Sequence, residues 1–161
     1  MNILHIAEIV DSGIEKEKKR RDFYALAAQK FNHQELKALF LQLAQWEETH
    51  ITKFSAIRAS LQDDTAAESY PGELTEYMQS LVSDKLYQDV TPASFAQKVA
   101  SVKDALIYGI SFEKDAILFF SELLNYTADP QKKVIQQLID EEKQHIVFLA
   151  LLLEKNSQTA T

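Results

Sequence analysis

Two short runs, Glu47-Glu48-Thr49-His50 and Glu142-Lys143-Gln144-His145, carry the chemistry most readily read from this chain. Each places a glutamate three residues before a histidine, and together they use two of the four histidines present. On a helix, residues three apart share a face, so a carboxylate and an imidazole would project side by side. Two such Glu-x-x-His helices, joined by one glutamate from each of two further helices, form a known donor set for a pair of metal ions inside a helical bundle. Glu17 and Glu113 are the candidates for the two further carboxylates. Each interrupts an otherwise apolar stripe.

The elements that would position these residues follow from apolar periodicity. A first helix over about residues 3–29 presents Ile3, Ile6, Val10, Ile14, Glu17, Tyr24, Ala28 and Phe31 on one side. The run Lys18-Lys19-Arg20-Arg21 beside Glu17 reads as a solvated face, and no Lys or Arg falls on the inner stripes, Arg21 coming nearest. Asn32-His33-Gln34-Glu35 reads as a capping box opening a second helix that runs to about residue 61. That helix carries Leu36, Leu39, Leu43, Glu47, His50, Phe54 and Ile57 inward, with Trp46 as core filling beside the site.

Residues 62–91 break the pattern. A loop at Gln62-Asp63-Asp64-Thr65 and a turn at Tyr70-Pro71-Gly72 precede a short apolar helix through Leu74, Tyr77, Met78, Leu81 and Val82. Thr91-Pro92 caps a third long helix over 92–125, with Val99, Val102, Leu106, Gly109, Ile110, Glu113, Ile117, Phe120 and Leu124 inward. Asp129-Pro130 opens a fourth, with Ile135, Leu138, Glu142, His145, Leu149 and Leu152, before a polar tail from residue 156. The chain is thus expected to be all-α: one domain over 1–161, with helical hairpins at about 3–61 and 92–155 and a long crossover at 62–91.

Two regularities tie the donors together. In the first hairpin, Glu17 and Glu47 each lie fifteen residues from Asn32. At 1.5 Å per residue both stand ~22 Å from the turn, at one level. Glu113 and Glu142 likewise flank a midpoint inside their predicted loop. Second, Gly13-Ile14-x-x-Glu17-Lys18 with Phe23-Tyr24 repeats as Gly109-Ile110-x-x-Glu113-Lys114 with Phe119-Phe120 at an offset of 96, and the Glu-x-x-His pairs repeat at 95. One Glu and one Glu-x-x-His per half would make a pseudo-two-fold site. Four ionised carboxylates in a core would each cost several kcal/mol unless compensated. Two divalent cations would neutralise them, and oxygen and imidazole donors without thiolate suit iron or manganese, with zinc also compatible.

Composition narrows the function. The 161 residues carry a net charge of −7, which disfavours a nucleic-acid surface. No cysteine is present, so there are no disulfides, no thiol catalysis and no cysteine-ligated iron centre in this chain. No apolar run approaches the ~20 residues a membrane span requires. Residues 1–10 lack a basic segment and a small-residue cleavage site, so the expected location is cytoplasmic.

With these motifs the sequence resembles the ferritin-like superfamily, and within it the rubrerythrins. The resemblance rests on Glu17 with Phe23-Tyr24-Ala25-Leu26-Ala27, on Leu43–His50, on Phe112–Phe120 and on Ile139–His145, in the order of four helical signatures. It implies a ferritin-like four-helix bundle with a short extra helix in the crossover, and a centre of two iron ions. Glu17 and Glu113 would be terminal carboxylates, Glu47 and Glu142 bridging ones, and His50 and His145 one imidazole per metal. Tyr24 resembles a tyrosine that stands directly behind the ligands in these proteins. The implied activity is reduction of hydrogen peroxide or dioxygen with oxidation of Fe(II), and the alternatives are a ferroxidase or iron-storage protein and a non-enzymatic metal-binding bundle. A homodimer is implied, and its hairpins could be exchanged between chains. Two departures matter. Without a rubredoxin-type centre, electrons must come from another protein. The extra glutamate that rubrerythrins carry one turn beyond the third-helix ligand is replaced by Ala116 and Ile117, which implies a plainer, symmetric centre of bacterioferritin type.

Overall fold

The computed structural model describes residues 6–61, 73–83 and 90–158. Helices α1 (Ile6–Lys30) and α2 (Gln34–Ser60) form one hairpin, and α5 (Val102–Leu123) and α6 (Gln131–Gln158) form the other. Between them lie α3 (Glu73–Val82) and the short α4 (Pro92–Lys98). Among the described residues there is no β-strand. The architecture is an all-α, ferritin-like bundle whose long crossover contains an extra helix. Each hairpin packs along its own length, and the two halves meet through α1 against α5 and α2 against α6.

The hydrophobic core is divided in two. At one end Ile9, Val10, Phe54, Ile57, Phe119 and Phe120 are covered by Met78 and Leu81 of α3. At the other, Phe23, Tyr24, Phe40, Leu43, Leu106 and Phe112 are covered by Phe95 of α4. Burying each large side chain contributes about 1.5–3 kcal/mol. These two apolar ends provide the stability that holds a band of buried charge between them.

Three sequence expectations need correction. The third helix is not continuous over 92–125. It breaks at Val99-Ala100 because Ser101 caps a new helix: its hydroxyl accepts from the Asp104 amide at 3.1 Å. The Asp104 carboxylate in turn accepts from the amides of Ala100 and Ser101 at 3.0 and 2.9 Å. Lys30, at the end of α1, donates to the Val99 carbonyl and ties the break to the first hairpin. At the start of α2 the cap is His33 without a side-chain bond, so the box expected at Asn32 and Glu35 does not form. The last helix continues to Gln158, through the start of the predicted polar tail. Thr91 and Pro92 do cap α4 as expected, with Thr91 accepting from the Ser94 amide. Ile3, the loop at 62–65 and the turn at 70–72 lie outside the described residues.

The two glycines of the repeat permit close approach at matching places. A Cβ on Gly13 would stand 3.0 Å from Phe119 Cε1, and one on Gly109 would stand 3.1 Å from Tyr24 Oη. Each glycine lies one turn before a buried glutamate and admits an aromatic ring of the opposite hairpin.

Candidate metal centre

Four helices deliver the six predicted donors to one buried site: Glu17 from α1, Glu47 and His50 from α2, Glu113 from α5, Glu142 and His145 from α6. All four glutamates are fully buried, and the two histidines nearly so. Their donor atoms fall into two overlapping groups of four, Glu17–Glu47–His50–Glu142 and Glu47–Glu113–Glu142–His145, and a smaller one, His50–Glu142–His145, each within 4.8 Å. Glu47 and Glu142 belong to both groups of four, as two bridging carboxylates would.

His50 Nδ1 lies 3.5 Å from Glu17 Oε2, 3.6 Å from Glu47 Oε2 and 3.0 Å from Glu142 Oε1. His145 Nδ1 lies 2.8 Å from Glu142 Oε2 and 3.8 Å from both Glu47 Oε1 and Glu113 Oε1. Only the two Glu142 contacts are close, and none of these contacts has hydrogen-bond geometry. Glu17 Oε2, Glu47 Oε1, Glu113 Oε2, both Glu142 oxygens and the two Nδ1 atoms are buried and form no hydrogen bond. Native proteins rarely leave buried polar groups in that condition. A divalent cation coordinated by oxygen and imidazole would satisfy them together, so the donor set fits a pair of such ions.

Burial and the crowding of like charges shift the protonation of these groups. Burial pushes the Glu17 carboxyl up to about 8 despite the opposing Arg20 charge, and burial with Glu142 and Glu47 raises Glu113 well above the carboxylate range. Burial also acts to raise Glu47 and Glu142, but His50 and Arg20 beside Glu47, and His145 and His50 beside Glu142, hold both below it. Burial alone would lower the imidazoles. The facing carboxylates outweigh it, raising His50 and carrying His145 to about 10. Without a divalent cation, protons and Arg20 would have to balance the carboxylates.

That arginine corrects the sequence reading. Arg20, assigned to the solvated face, is completely buried and makes ion pairs with Glu17, with Glu47 Oε2 at 3.4 Å and with Glu142 Oε1 at 3.8 Å. Its guanidinium also lies 5.7 Å from the centre of the Phe120 ring. Arg21 points outward to Glu48 and Asp22. Lys16 is a second inward cation, paired with buried Asp115 at 3.1 Å. A signal for Arg20 was present, because Glu17-x-x-Arg20 has the same spacing as Glu-x-x-His.

Four further side chains shape the site. Tyr24 donates its hydroxyl to Glu113 Oε1, and burial with the nearby carboxylates keeps that phenol protonated. His50 Nε2 meets Glu141 Oε2 at 2.9 Å, and Lys53 holds the same carboxylate at 2.7 and 2.9 Å. With Nε2–H directed at Glu141, Nδ1 is left facing the glutamates. The Trp46 ring stacks on His145 at 4.7 Å and 8°, so it packs directly on a donor as well as filling space. A cavity of about 460 Å³ between α2 and α6 is lined by both histidines, with Trp46, Lys53, Glu141 and Phe148 also in its walls.

Fold and site together define a ferritin-like bundle with a candidate di-metal carboxylate centre. The sequence profile of the rubrerythrin family matches residues 8–153, and the chain belongs to that family. Its fold is also that of a Thermotoga maritima crystal structure described as a ferritin-like diiron-carboxylate protein. The TM-score is 0.72 and the identity 22%, over 97% of this chain and 99% of that one. No curated protein sequence matches the chain significantly. No helix among the described residues is long and apolar enough to cross a membrane.

Proposed function

We propose that the protein is a di-iron oxidoreductase of rubrerythrin type that reduces hydrogen peroxide or dioxygen. The observation that supports this most directly is the set of buried donor atoms without hydrogen bonds, in two four-residue groups sharing Glu47 and Glu142. Glu17, Glu47 and His50 would hold one iron, Glu113, Glu142 and His145 the other, with Glu47 and Glu142 bridging. A pair of Fe(II) ions held there would supply two electrons, enough with two protons to convert hydrogen peroxide to two waters.

The chain's own residues prepare that chemistry. Tyr24 fixes one oxygen of Glu113 and leaves the other buried without a hydrogen bond. Glu141 holds His50 through Nε2 and so presents Nδ1, an arrangement that typically raises ligand basicity. The cavity beside the imidazoles is large enough for a small oxidant, while the apolar ends of the bundle exclude bulk water. Because the chain has no cysteine, a separate protein would return electrons to the centre. A homodimer built from hairpins 3–61 and 92–155 and the 62–91 crossover belongs to the same proposal.

A second reading, ferroxidase chemistry with dioxygen, is favoured by Ala116. This fully buried residue supplies no carboxylate where rubrerythrins have their extra glutamate. Anaerobic Fe(II) loading followed by stoichiometric peroxide or dioxygen separates the two, with bound iron and near-ultraviolet absorption followed in time. Two irons per chain and faster oxidation by peroxide are expected; faster oxidation by dioxygen would support the ferroxidase. Failure to bind iron would overturn both.

A further inference from the structure

The repeat that relates the two hairpins also shows where they differ. The offset of 96 pairs Arg20 with Ala116, and the offset of 95 pairs Trp46 with Glu141 and Lys53 with Phe148. The two candidate metal positions therefore do not have equivalent surroundings, contrary to the symmetric centre expected from the sequence.

Arg20 touches one position's oxygens selectively. His50 Nδ1 faces Glu47 Oε2 and Glu142 Oε1, and these are the two oxygens that Arg20 approaches. Arg20 also pairs with Glu17, the remaining carboxylate of that position, through Oε1, the oxygen beside the one His50 Nδ1 faces. His145 Nδ1 faces the opposite oxygens, Glu47 Oε1 and Glu142 Oε2, together with Glu113. Glu113 is held by the neutral hydroxyl of Tyr24. A guanidinium keeps its charge at any ordinary pH, so this cation cannot be titrated away when a metal arrives.

Resting on the metal-centre reading above, we propose that Arg20 makes the two positions unequal. The Glu113–His145 position takes a divalent ion first and keeps it, whereas the Glu17–His50 position binds its ion weakly and exchanges it. An ion there must share three carboxylates with a buried cation at close range, where low dielectric amplifies the repulsion. The Glu141 bond to His50 works in the opposite direction, but it acts through the imidazole, and Lys53 already offsets its charge at 2.7 Å. Arg20 acts on the three carboxylates themselves and prevails.

The test is titration of metal-free protein with Co(II), an ion that needs no oxidant, followed by calorimetry and visible absorption. The unmodified protein should show two binding steps separated by about ten-fold or more in affinity. Glu113→Gln should remove the tight step, and Glu17→Gln should remove the weak one. Arg20→Gln should strengthen the weak step until the two lie within about three-fold. Two indistinguishable steps in the unmodified protein, or loss of the tight step in Glu17→Gln, would overturn the inference while leaving the di-metal centre intact. These two arms retain Arg20 and so decide the matter even if Arg20→Gln fails to fold. No Co(II) binding at all would overturn the metal-centre reading itself, and the inference with it.

Discussion

Tyr24 shows how one atom differentiates two related halves. Its hydroxyl reaches Glu113 across the bundle, while Phe120, its counterpart in the repeat, has no hydroxyl and instead lies against Arg20. Tyr24→Phe removes a buried donor and adds one more unpaired carboxylate oxygen. The protein should fold, lose about 1–3 kcal/mol in urea denaturation, and bind divalent metal about 10–100-fold more weakly. Unchanged Co(II) affinity would mean that the tyrosine only packs. Glu141 and Trp46 make the same point from outside: at corresponding places, one histidine receives a carboxylate and the other an indole face.

At the level of elements, the break between α4 and α5 sets where Glu113 stands. The register of α5 starts from Ser101 and Asp104, whose reciprocal bonds satisfy the first amides of the helix. Asp104→Ala frees the amides of Ala100 and Ser101 and should cost about 1 kcal/mol. Hydrogen exchange should quicken at the first turn of α5 and remain slow around Glu113; uniform change along α5 would contradict a local cap. Close contact of α1 with α5 depends on Gly13 and Gly109. Gly109→Ala would press on Tyr24 Oη and on Leu149 Cδ1, 3.3 Å away. A cost of about 1–3 kcal/mol is expected for that overpacking, together with weaker Co(II) binding, because the displaced hydroxyl is the one that holds Glu113.

For the whole molecule, the buried charge couples stability to pH and to metal. His145 is raised from 6.5 to about 10, so its protonation contributes stability fully below 6.5 and loses it as pH rises through 10. Glu17, raised from 4.5 to about 8, acts with the same sign between those values. Metal-free protein should therefore lose thermal stability steadily from about pH 6 to 10. Metal reverses the trend, since it must displace the histidine protons and binds better as they leave. At 100 times its Kd, Mn(II) should add about 2.7 kcal/mol per site. At a fixed Mn(II) concentration, the rise in Tm should grow with pH, as scanning calorimetry would show. A metal-induced rise independent of pH would contradict the protonated, metal-free histidines.

Much of this was legible in the chain. A Glu-x-x-His on a helix fixes a shared face through 3.6-residue periodicity alone, and hairpin arithmetic puts Glu17 level with Glu47. The repeat links those donors to Glu113, Glu142 and His145, so the bundle and the convergence of all six donors followed from local rules. The break at Ser101 was also encoded, as Ser-x-x-Asp, but continuous apolar periodicity on both sides concealed it. Other features depended on packing. Arg20 and Arg21 both continue the stripe of Glu17 at permitted spacings, and only the approach of α2 and α6 turns Arg20 inward and Arg21 toward solvent. The partners of His50 and His145 sit 91 and 99 residues away in sequence, at Glu141 and Trp46, where no local period can join them. The sequence by itself determined which candidate donors share a helix face, because spacing along a helix is local. The tertiary structure decided which charges accompany them, because that depends on how helices distant in the chain rotate against one another.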